Sequence, residues 1–255
     1  MKKKTGPDGK KVLINVILDR SGSMTDCATS TISGYNEYIN GLKADKETKY
    51  FVSLIQFDAP GHQPELTITY SDKPLKEILP LDSVGFQPRG MTPLYDAVGE
   101  CIRRVEAKGR AVITVIITDG QENSSREFNQ ATIKALIAEK EAEGWGFVFL
   151  GADINAKVEA ASMGIAANNA YNYSKAGTMN TYSAMASATM KRSAAIKTGG
   201  ALVASAMSFM TPAQEAQIMQ PDAGVATTTG GRPAEPPTFP KRTIWSTTKG
   251  DVSSS

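Results

Sequence analysis

The chain has 255 residues, of which 28 are Lys or Arg and 26 are Asp or Glu, so its formal net charge is +2. This near balance gives no electrostatic basis for binding nucleic acid or an anionic membrane surface, and neither is expected as a partner. The length suits one well-buried domain with an appendage, and no segment approaches the roughly 20 apolar residues that span a bilayer.

The N-terminal ten residues form a basic flank, residues 1–10, ahead of the first apolar run. That run, Val12–Leu18, is too short for the apolar region of a signal peptide and ends on charged residues. The chain has only two cysteines, Cys27 and Cys101. We therefore expect a reduced, cytoplasmic protein without a signal peptide.

Short β-rich runs alternate with helical patterns along most of the chain. The strands are expected at 12–18, 50–57, 66–70, 112–118, 145–150 and 169–173. The helices are expected at 31–43, 93–107, 129–143, 154–163 and 178–195. This alternation predicts βαβ units and a parallel α/β sheet, with residues 66–70 as an antiparallel edge strand after the Pro60-Gly61 turn.

Oxygen-bearing side chains follow the first strand at alternate positions, as Asp19, Ser21 and Ser23. Thr92 precedes a predicted helix, and Asp119 ends the apolar run 112–118. In open α/β sheets, ligands bind beyond the carboxyl ends of the strands, where these residues would meet. A hard divalent cation such as Mg²⁺ prefers oxygen ligands and usually keeps some water. The pattern therefore predicts three loops that converge on one cation.

Thr92 is also expected as the N-cap of its helix, with Pro93 in the first turn. A hydroxyl oxygen has two lone pairs, so the same side chain can both cap a helix and bind a metal.

This ordered set of five residues resembles the signature of von Willebrand factor type A (VWA) domains that carry a metal-ion-dependent adhesion site. The resemblance covers about residues 10 to 175, and all five positions are filled. It implies an α/β fold with a doubly wound, mostly parallel sheet and helices on both faces. It also implies that Ser21, Ser23 and Thr92 bind a divalent cation through their hydroxyls, while Asp19 and Asp119 act directly or through water. Mg²⁺ is expected, with Mn²⁺ as the alternative.

The resemblance implies that the protein is a binding module, which acts in adhesion or as an adaptor, and that it is not an enzyme. A partner protein would present an Asp or Glu that completes the metal shell. By similarity to members of the family that lack a signal peptide, we expect a bacterial or phage intracellular protein. If a phage encodes it, we expect it to be associated with a virion or an assembly. Its partner would be an AAA+ ATPase or an assembly subunit. The loop residues expected to contact it are Met24, Phe86, Arg89, Met91, Gln121, Glu122 and Asn123.

Two alternative functions remain at this stage. In a Mg²⁺-dependent phosphatase-like hydrolase, Asp19 would be the nucleophile, but that chemistry needs an acid two residues later and Ser21 stands there. In the other alternative, the protein is a structural or virion component that binds through its C-terminal tail. A solvated loop would explain Glu122 and Asn123 as well as a partner contact does.

The C-terminal part differs in composition from the predicted domain, residues 11–175. Residues 176–196 form a Met- and Ala-rich helical segment, and six of the 13 prolines follow residue 210. We therefore expect a Pro-, Gly-, Ser- and Thr-rich tail over 197–255. Within it, Thr211–Gln214 has a capping-box pattern for a short helix that ends near Met219, and Phe239–Trp245 is an aromatic segment.

Overall fold

The computed structural model describes residues 8–222, with side chains from residue 10 onward. Six strands form one sheet, and their bounds are β1 (Asp8–Asp19), β2 (Lys49–Asp58), β3 (Glu65–Pro74), β4 (Arg110–Thr118), β5 (Gly146–Ala152) and β6 (Ala170–Tyr173). The strand order is β3-β2-β1-β4-β5-β6, and every neighbouring pair is parallel except β2 and β3. The predicted mostly parallel sheet with an antiparallel edge strand is confirmed.

Helices cover both faces of the sheet, as expected for a doubly wound α/β fold. Their bounds are α1 (Ala28–Lys43), α2 (Leu94–Arg104), α3 (Gln130–Ala142), α4 (Ala156–Ser162), α5 (Thr178–Gly199), α6 (Ala201–Ala206) and α7 (Pro212–Ile218). None of the helices within residues 8–222 is long and apolar enough to cross a bilayer.

The central strand β1 shows how the sequence builds two cores. Its side chains alternate between the faces, so Val12, Ile14, Val16 and Leu18 join the core beneath α1 and α5, while Leu13 and Ile17 join the core beneath α2 and α3. Each of these residues is at most 1% exposed. Burial of such side chains contributes roughly 1.5–3 kcal/mol each, which makes the central strands a rigid base for the loops at their carboxyl ends.

The start of α2 differs from the sequence-based expectation. The helix begins at Leu94, Pro93 occupies the N-cap position, and the expected Thr92 cap is wrong. The first N–H groups of the helix are instead satisfied by a later loop, because Tyr95 N donates to Glu122 Oε2 at 2.8 Å and Asp96 N donates to Ser125 Oγ at 3.0 Å. The Thr92 hydroxyl is therefore not committed to a cap.

The C-terminal boundary predicted at residue 197 lies inside the folded unit. Helix α5 continues to Gly199, and Phe209, Met210 and Ile218 are buried in the same core as α1 and α5. These apolar side chains lie between Gly-, Ser- and Ala-rich stretches, whose low hydrophobicity suggested a tail. The short helix expected after Thr211 is confirmed, and Thr211 and Gln214 form its capping box. The segment Phe239–Trp245 lies outside the described residues.

The two cysteines are free, and each is buried in a different core. Burial raises the pKa of the Cys27 thiol and raises that of Cys101 to about 12. A thiol held in this way behaves as a small apolar side chain and not as a nucleophile. His62, the only histidine, is exposed on a loop.

Candidate metal site

The candidate site lies at the carboxyl ends of the two central parallel strands. Asp19 is the last residue of β1, and Asp119 directly follows β4. Leu18 pairs with Ile117 in the β1–β4 register, so the two strands end side by side. The adjacent parallel strands β1 and β4 therefore bring the two carboxylates to the same edge of the sheet.

Four of the five predicted ligands form a continuous hydrogen-bond network. Ser23 Oγ donates to Asp119 Oδ1 at 2.6 Å, and the hydroxyls of Ser21 and Ser23 lie 3.1 Å apart. The backbone N–H of Ser21 donates to Asp19 Oδ1 at 2.6 Å, and the Thr118 hydroxyl donates to Asp19 Oδ2. The Asp-x-Ser-x-Ser turn therefore closes onto both strand ends.

Thr92 reaches the same place from the loop before α2. A Cβ added at Gly120 would lie 2.9 Å from Thr92 Oγ1, so the hydroxyl sits against the residue that follows Asp119. Two further bonds hold it there: Thr92 N donates to Asn123 Oδ1 at 2.8 Å, and Asn123 N donates to Thr92 O at 3.1 Å. Gly120 leaves the space that the Thr92 hydroxyl needs.

Asp19 is a fully buried carboxylate in this network. Burial raises its pKa to about 7, the negative charge of Asp119 adds to the effect, and the hydrogen bonds from Thr118 and Ser21 oppose it. Both of its oxygens already accept hydrogen bonds. This geometry suits a carboxylate that balances or orients a cation, and it leaves little access for an attack on a substrate.

Lys175 is a participant that the sequence analysis missed. Its Nζ lies 2.7 Å from Asp119 Oδ2 and donates to Ser23 O at 3.0 Å. Its partial burial disfavours the charged form, but the hydrogen bond and the negative charge of Asp119 outweigh this and raise the pKa of the ammonium group. The only sequence signal was a lysine two residues beyond the last strand, in a turn that also reaches the carboxyl edge of the sheet.

An ion-pair cluster, buried at Arg20 and Asp58 and exposed at Arg89, joins the loops that carry the candidate ligands. The Arg20 guanidinium donates to both oxygens of Asp58, at 3.1 and 3.0 Å, and Arg89 Nε donates to Asp58 Oδ2 at 2.7 Å. Arg89 also donates its backbone N–H to Arg20 O at 2.8 Å, and Gly22 N donates to Gly90 O at 3.0 Å. The turn after β1, the end of β2 and the loop before Thr92 are thus one connected unit.

Gly90 is closely packed within this unit, and its replacement by alanine tests how much this packing contributes to stability. Its φ is +69°, and a Cβ there would lie 2.5 Å from the backbone of Ala59. We expect Gly90→Ala to lower the free energy of unfolding by about 3 kcal/mol, from the left-handed backbone and the steric clash together. Urea unfolding measures this loss.

Gly61→Ala is the matched control, because Gly61 has a φ of +58° but open space around the added Cβ. We expect a loss of only about 1 kcal/mol there, from the backbone conformation alone. Equal losses in the two variants would show that the packing of Gly90 on Ala59 is unimportant.

Two of the residues predicted to contact a partner are in the wrong place for it. Met24 is fully buried and Phe86 is 2% exposed, and both belong to the core beneath α1 and α5. Each lies on a loop next to the site, which is the signal that the prediction used, but an apolar side chain on a short loop can equally turn inward. These two assignments are corrected.

The other five predicted contact residues lie around the site and already have internal partners. Arg89 binds Asp58 and Glu65, and Met91 is half-buried beside His62. Exposed Gln121 donates to Glu159 at 3.0 Å. Glu122 and Asn123 hold the start of α2 and Thr92, as described above. Arg89, Glu122 and Asn123 therefore support the site through these contacts, whether or not they also touch a partner.

The donor set fits a hard divalent cation. Among residues 8–222, no group of three or more His, Cys, Asp or Glu side chains is arranged to hold a metal, so a cation would depend on the hydroxyls. Hydroxyl and carboxylate oxygens, from Ser21, Ser23, Thr92, Asp19 and Asp119, are the ligands that Mg²⁺ and Mn²⁺ prefer. Two carboxylates at one strand edge also supply the negative charge that such an ion requires.

No protein-family model and no curated protein sequence matches this chain. Among solved structures, the chain is similar to the pilus adhesin SpaC from Lactobacillus rhamnosus GG, with a TM-score of 0.53, 12% identity and coverage of 72% of this chain and 31% of SpaC. It is also similar to the vWF domain of the type V pili tip protein Mfa5 from Porphyromonas gingivalis, with a TM-score of 0.51, 9% identity and coverage of 71% and 95%.

A third similar structure is proximal thread matrix protein 1 from the mussel byssus, with a TM-score of 0.49, 13% identity and coverage of 68% of this chain. The match spans less than half of that protein, 46% of its chain. At such low identities, the likeness to SpaC and Mfa5 shows the fold alone. Together with the sheet order and the helices on both faces, it establishes that this chain has the α/β fold of von Willebrand factor type A domains.

Proposed function

We propose that this protein is a metal-dependent protein-binding module. The observation that carries the proposal is the convergence of five oxygen-bearing side chains from three loops, at the carboxyl edge of a VWA-like sheet. The solved pilus proteins with this fold are adhesins or tip proteins by name. The cation would be Mg²⁺, with Mn²⁺ as the alternative, because all of the candidate ligands are hard oxygens.

The chain's own residues have separate roles in this proposal. Ser21, Ser23 and Thr92 offer hydroxyl ligands, and Asp19 and Asp119 offer charge at the strand ends. The divalent cation would supply a strong positive charge that attracts an Asp or Glu carboxylate of a partner protein. Ser23 is exposed, as are Gly22 and Gly90 beside it, so this side of the site is open to a partner.

Binding is favoured over hydrolysis by the environment of Asp19. A nucleophilic carboxylate must reach the substrate, whereas Asp19 is buried and both of its oxygens accept hydrogen bonds from within the chain. Ser21, two residues later, is a hydroxyl and cannot serve as the acid that phosphatases of this kind need. We therefore propose that the protein is not an enzyme.

The partner and setting are further parts of the proposal. We propose a bacterial or phage intracellular assembly, with an AAA+ ATPase or an assembly subunit as the partner that presents the carboxylate. A test is capture of proteins from the native lysate on the immobilised full chain, in Mg²⁺ and in EDTA, followed by mass spectrometry. A metal-dependent partner should be captured in Mg²⁺ and lost in EDTA.

Asp119→Ala in Mg²⁺ is the second condition of this experiment, because it removes one carboxylate without removing the metal from the buffer. Loss of the same partner in EDTA and with Asp119→Ala supports the proposal. A partner retained in all three conditions binds elsewhere on the chain, as in the tail-binding alternative, and contradicts metal-dependent adhesion.

A further inference from the structure

Lys175 places a fixed positive charge inside the candidate metal site. Its Nζ is 2.7 Å from Asp119 Oδ2 and 3.0 Å from Ser23 O, so one ammonium group contacts two of the residues proposed to hold the cation. The Asp119 side chain is completely buried in this arrangement, whereas that of Lys175 keeps 25% of its surface exposed. The pair is therefore open to solvent only from the lysine side.

The residues on either side of Lys175 in the sequence are bound to the C-terminal segment of the described chain, residues 218–222. Ser174 N donates to Ile218 O at 3.4 Å, and Asp222 N donates to Ala176 O at 2.7 Å. A Cβ at Gly177 would lie 2.3 Å from Gln220 O, so the turn and the C-terminal segment are packed tightly together. From this turn, the flexible four-carbon side chain of Lys175 carries the ammonium group to Asp119.

We propose that Lys175 is an internal counter-cation that competes with the divalent cation for Asp119 and so weakens metal binding. This inference rests on the proposed metal-binding function and names how that site is regulated. The Lys175 ammonium group, 2.7 Å from Asp119 Oδ2, forms an ion pair with a carboxylate oxygen that a metal ion would also need. Its charge also repels a divalent cation at the same site.

The same contacts give Lys175 a role when the metal is removed. Asp119 is buried, and the buried carboxylate of Asp19 ends the neighbouring strand β1. A charged group without a partner in such a place destabilises the fold. Lys175 thus stabilises the metal-free protein through the same contact by which it opposes the metal.

Titration calorimetry with MgCl₂ and MnCl₂ on the full chain tests this inference. We expect Lys175→Met to bind either metal about tenfold more tightly than the native chain, because one opposing charge is removed at close range. Lys175→Arg keeps the charge, so its affinity should stay near the native value. Lys157→Met is the matched control, since Lys157 is an exposed lysine paired with Glu215 at 3.7 Å, on α4.

Thermal unfolding gives a second readout. In EDTA, Lys175→Met should unfold at a lower temperature than the native chain, because Asp119 loses its cation, and added Mg²⁺ should raise its Tm by more than it raises the native Tm. If this variant is unfolded in EDTA, recovery of its circular dichroism spectrum in Mg²⁺ supports the inference. Lys175→Gln, measured in parallel, keeps a hydrogen-bond donor without the charge and should shift the affinity in the same direction.

The outcomes separate the two proposals. Metal binding by the native chain with equal or weaker binding by Lys175→Met and Lys175→Gln overturns the role of Lys175 and leaves the metal-binding function intact. Metal binding by Lys175→Met and Lys175→Gln, but not by the native chain, supports the inference, because it means that Lys175 prevents metal binding altogether. If neither the native chain nor any Lys175 variant binds Mg²⁺ or Mn²⁺, both proposals are wrong.

Discussion

Replacement of Asp119 by alanine is expected to weaken Mg²⁺ binding by at least about 100-fold while the domain remains folded. Loss of a residue that only orients a metal ligand typically costs 10–100-fold in affinity, and Asp119 is proposed to act closer to the metal than that. Its Oδ1 accepts a hydrogen bond from the Ser23 hydroxyl at 2.6 Å, so the substitution also removes a contact that positions a second candidate ligand. Titration calorimetry with MgCl₂ measures the effect directly.

The fold should survive this substitution for reasons visible in the contacts. Asp119 follows β4 and contributes no backbone pair to the sheet, and Lys175, its partner, is partly exposed and can turn to solvent. The Tm of the variant in EDTA should therefore stay close to that of the native chain. Saturating Mg²⁺ should raise the native Tm and leave that of Asp119→Ala unchanged.

Asp26→Ala is the control for charge alone. Asp26 is an exposed acid in the turn after β1, close enough to Lys175 to influence it, and it is not a predicted ligand. We expect its removal to change Mg²⁺ affinity by about threefold or less, through screened charge. Equal losses in Asp26→Ala and Asp119→Ala would mean that only the general field of the region attracts the metal.

Sequence reasoning predicts those residues of the site that directly end or follow an apolar strand. An apolar strand that stops at a carboxylate occurs at Asp19 and Asp119, and parallel strands must end at the same edge. Thr92 follows no apolar strand, and its place in the site was predicted from its hydroxyl ahead of a helix together with the family resemblance. Its expected N-cap role was wrong because Glu122 and Ser125, about 30 residues later in the chain, satisfy the helix instead.

Of the residues that were missed, Lys175 has no local signal in the sequence, whereas Asp58 has one. Lys175 lies far from the motif in sequence and reaches it only because β6 and its following turn end at the same edge of the sheet. Asp58 also ends an apolar strand, so the same pattern occurs a third time, but Asp58 was not predicted as part of the site. The burial of Phe209, Met210 and Ile218 beyond the predicted boundary depends on packing against α5, which composition alone does not indicate.

Replacement of Asp58 by alanine is expected to lower the free energy of unfolding by about 3–5 kcal/mol, because it leaves the buried Arg20 guanidinium without its carboxylate. Asp58 has no exposed side-chain surface, and that of Arg20 is 2% exposed. This pair is shielded from bulk solvent, so its two hydrogen bonds are not replaced as readily as those of a surface pair. Urea unfolding in EDTA measures this loss without a contribution from bound metal.

Glu65→Ala is the matched control, since Glu65 is the other carboxylate bound to Arg89 but lies in a partly exposed pair. We expect it to cost less than about 1 kcal/mol. The double variant Arg20→Met, Asp58→Leu should be more stable than Asp58→Ala, because it removes both buried charges and keeps their volume apolar. A double variant as unstable as Asp58→Ala would show that packing, and not the unpaired charge, dominates.

The same substitution links the stability of the loops to the function of the site. Asp58 holds Arg20, which stands between Asp19 and Ser21, and also Arg89, which stands three residues before Thr92. Loss of Asp58 should therefore weaken Mg²⁺ binding although Asp58 is not a candidate ligand. Glu65→Ala should bind Mg²⁺ as the native chain does. Native affinity in a folded Asp58→Ala variant would mean that the metal itself, and not the ion-pair cluster, brings Thr92 to the two strand ends.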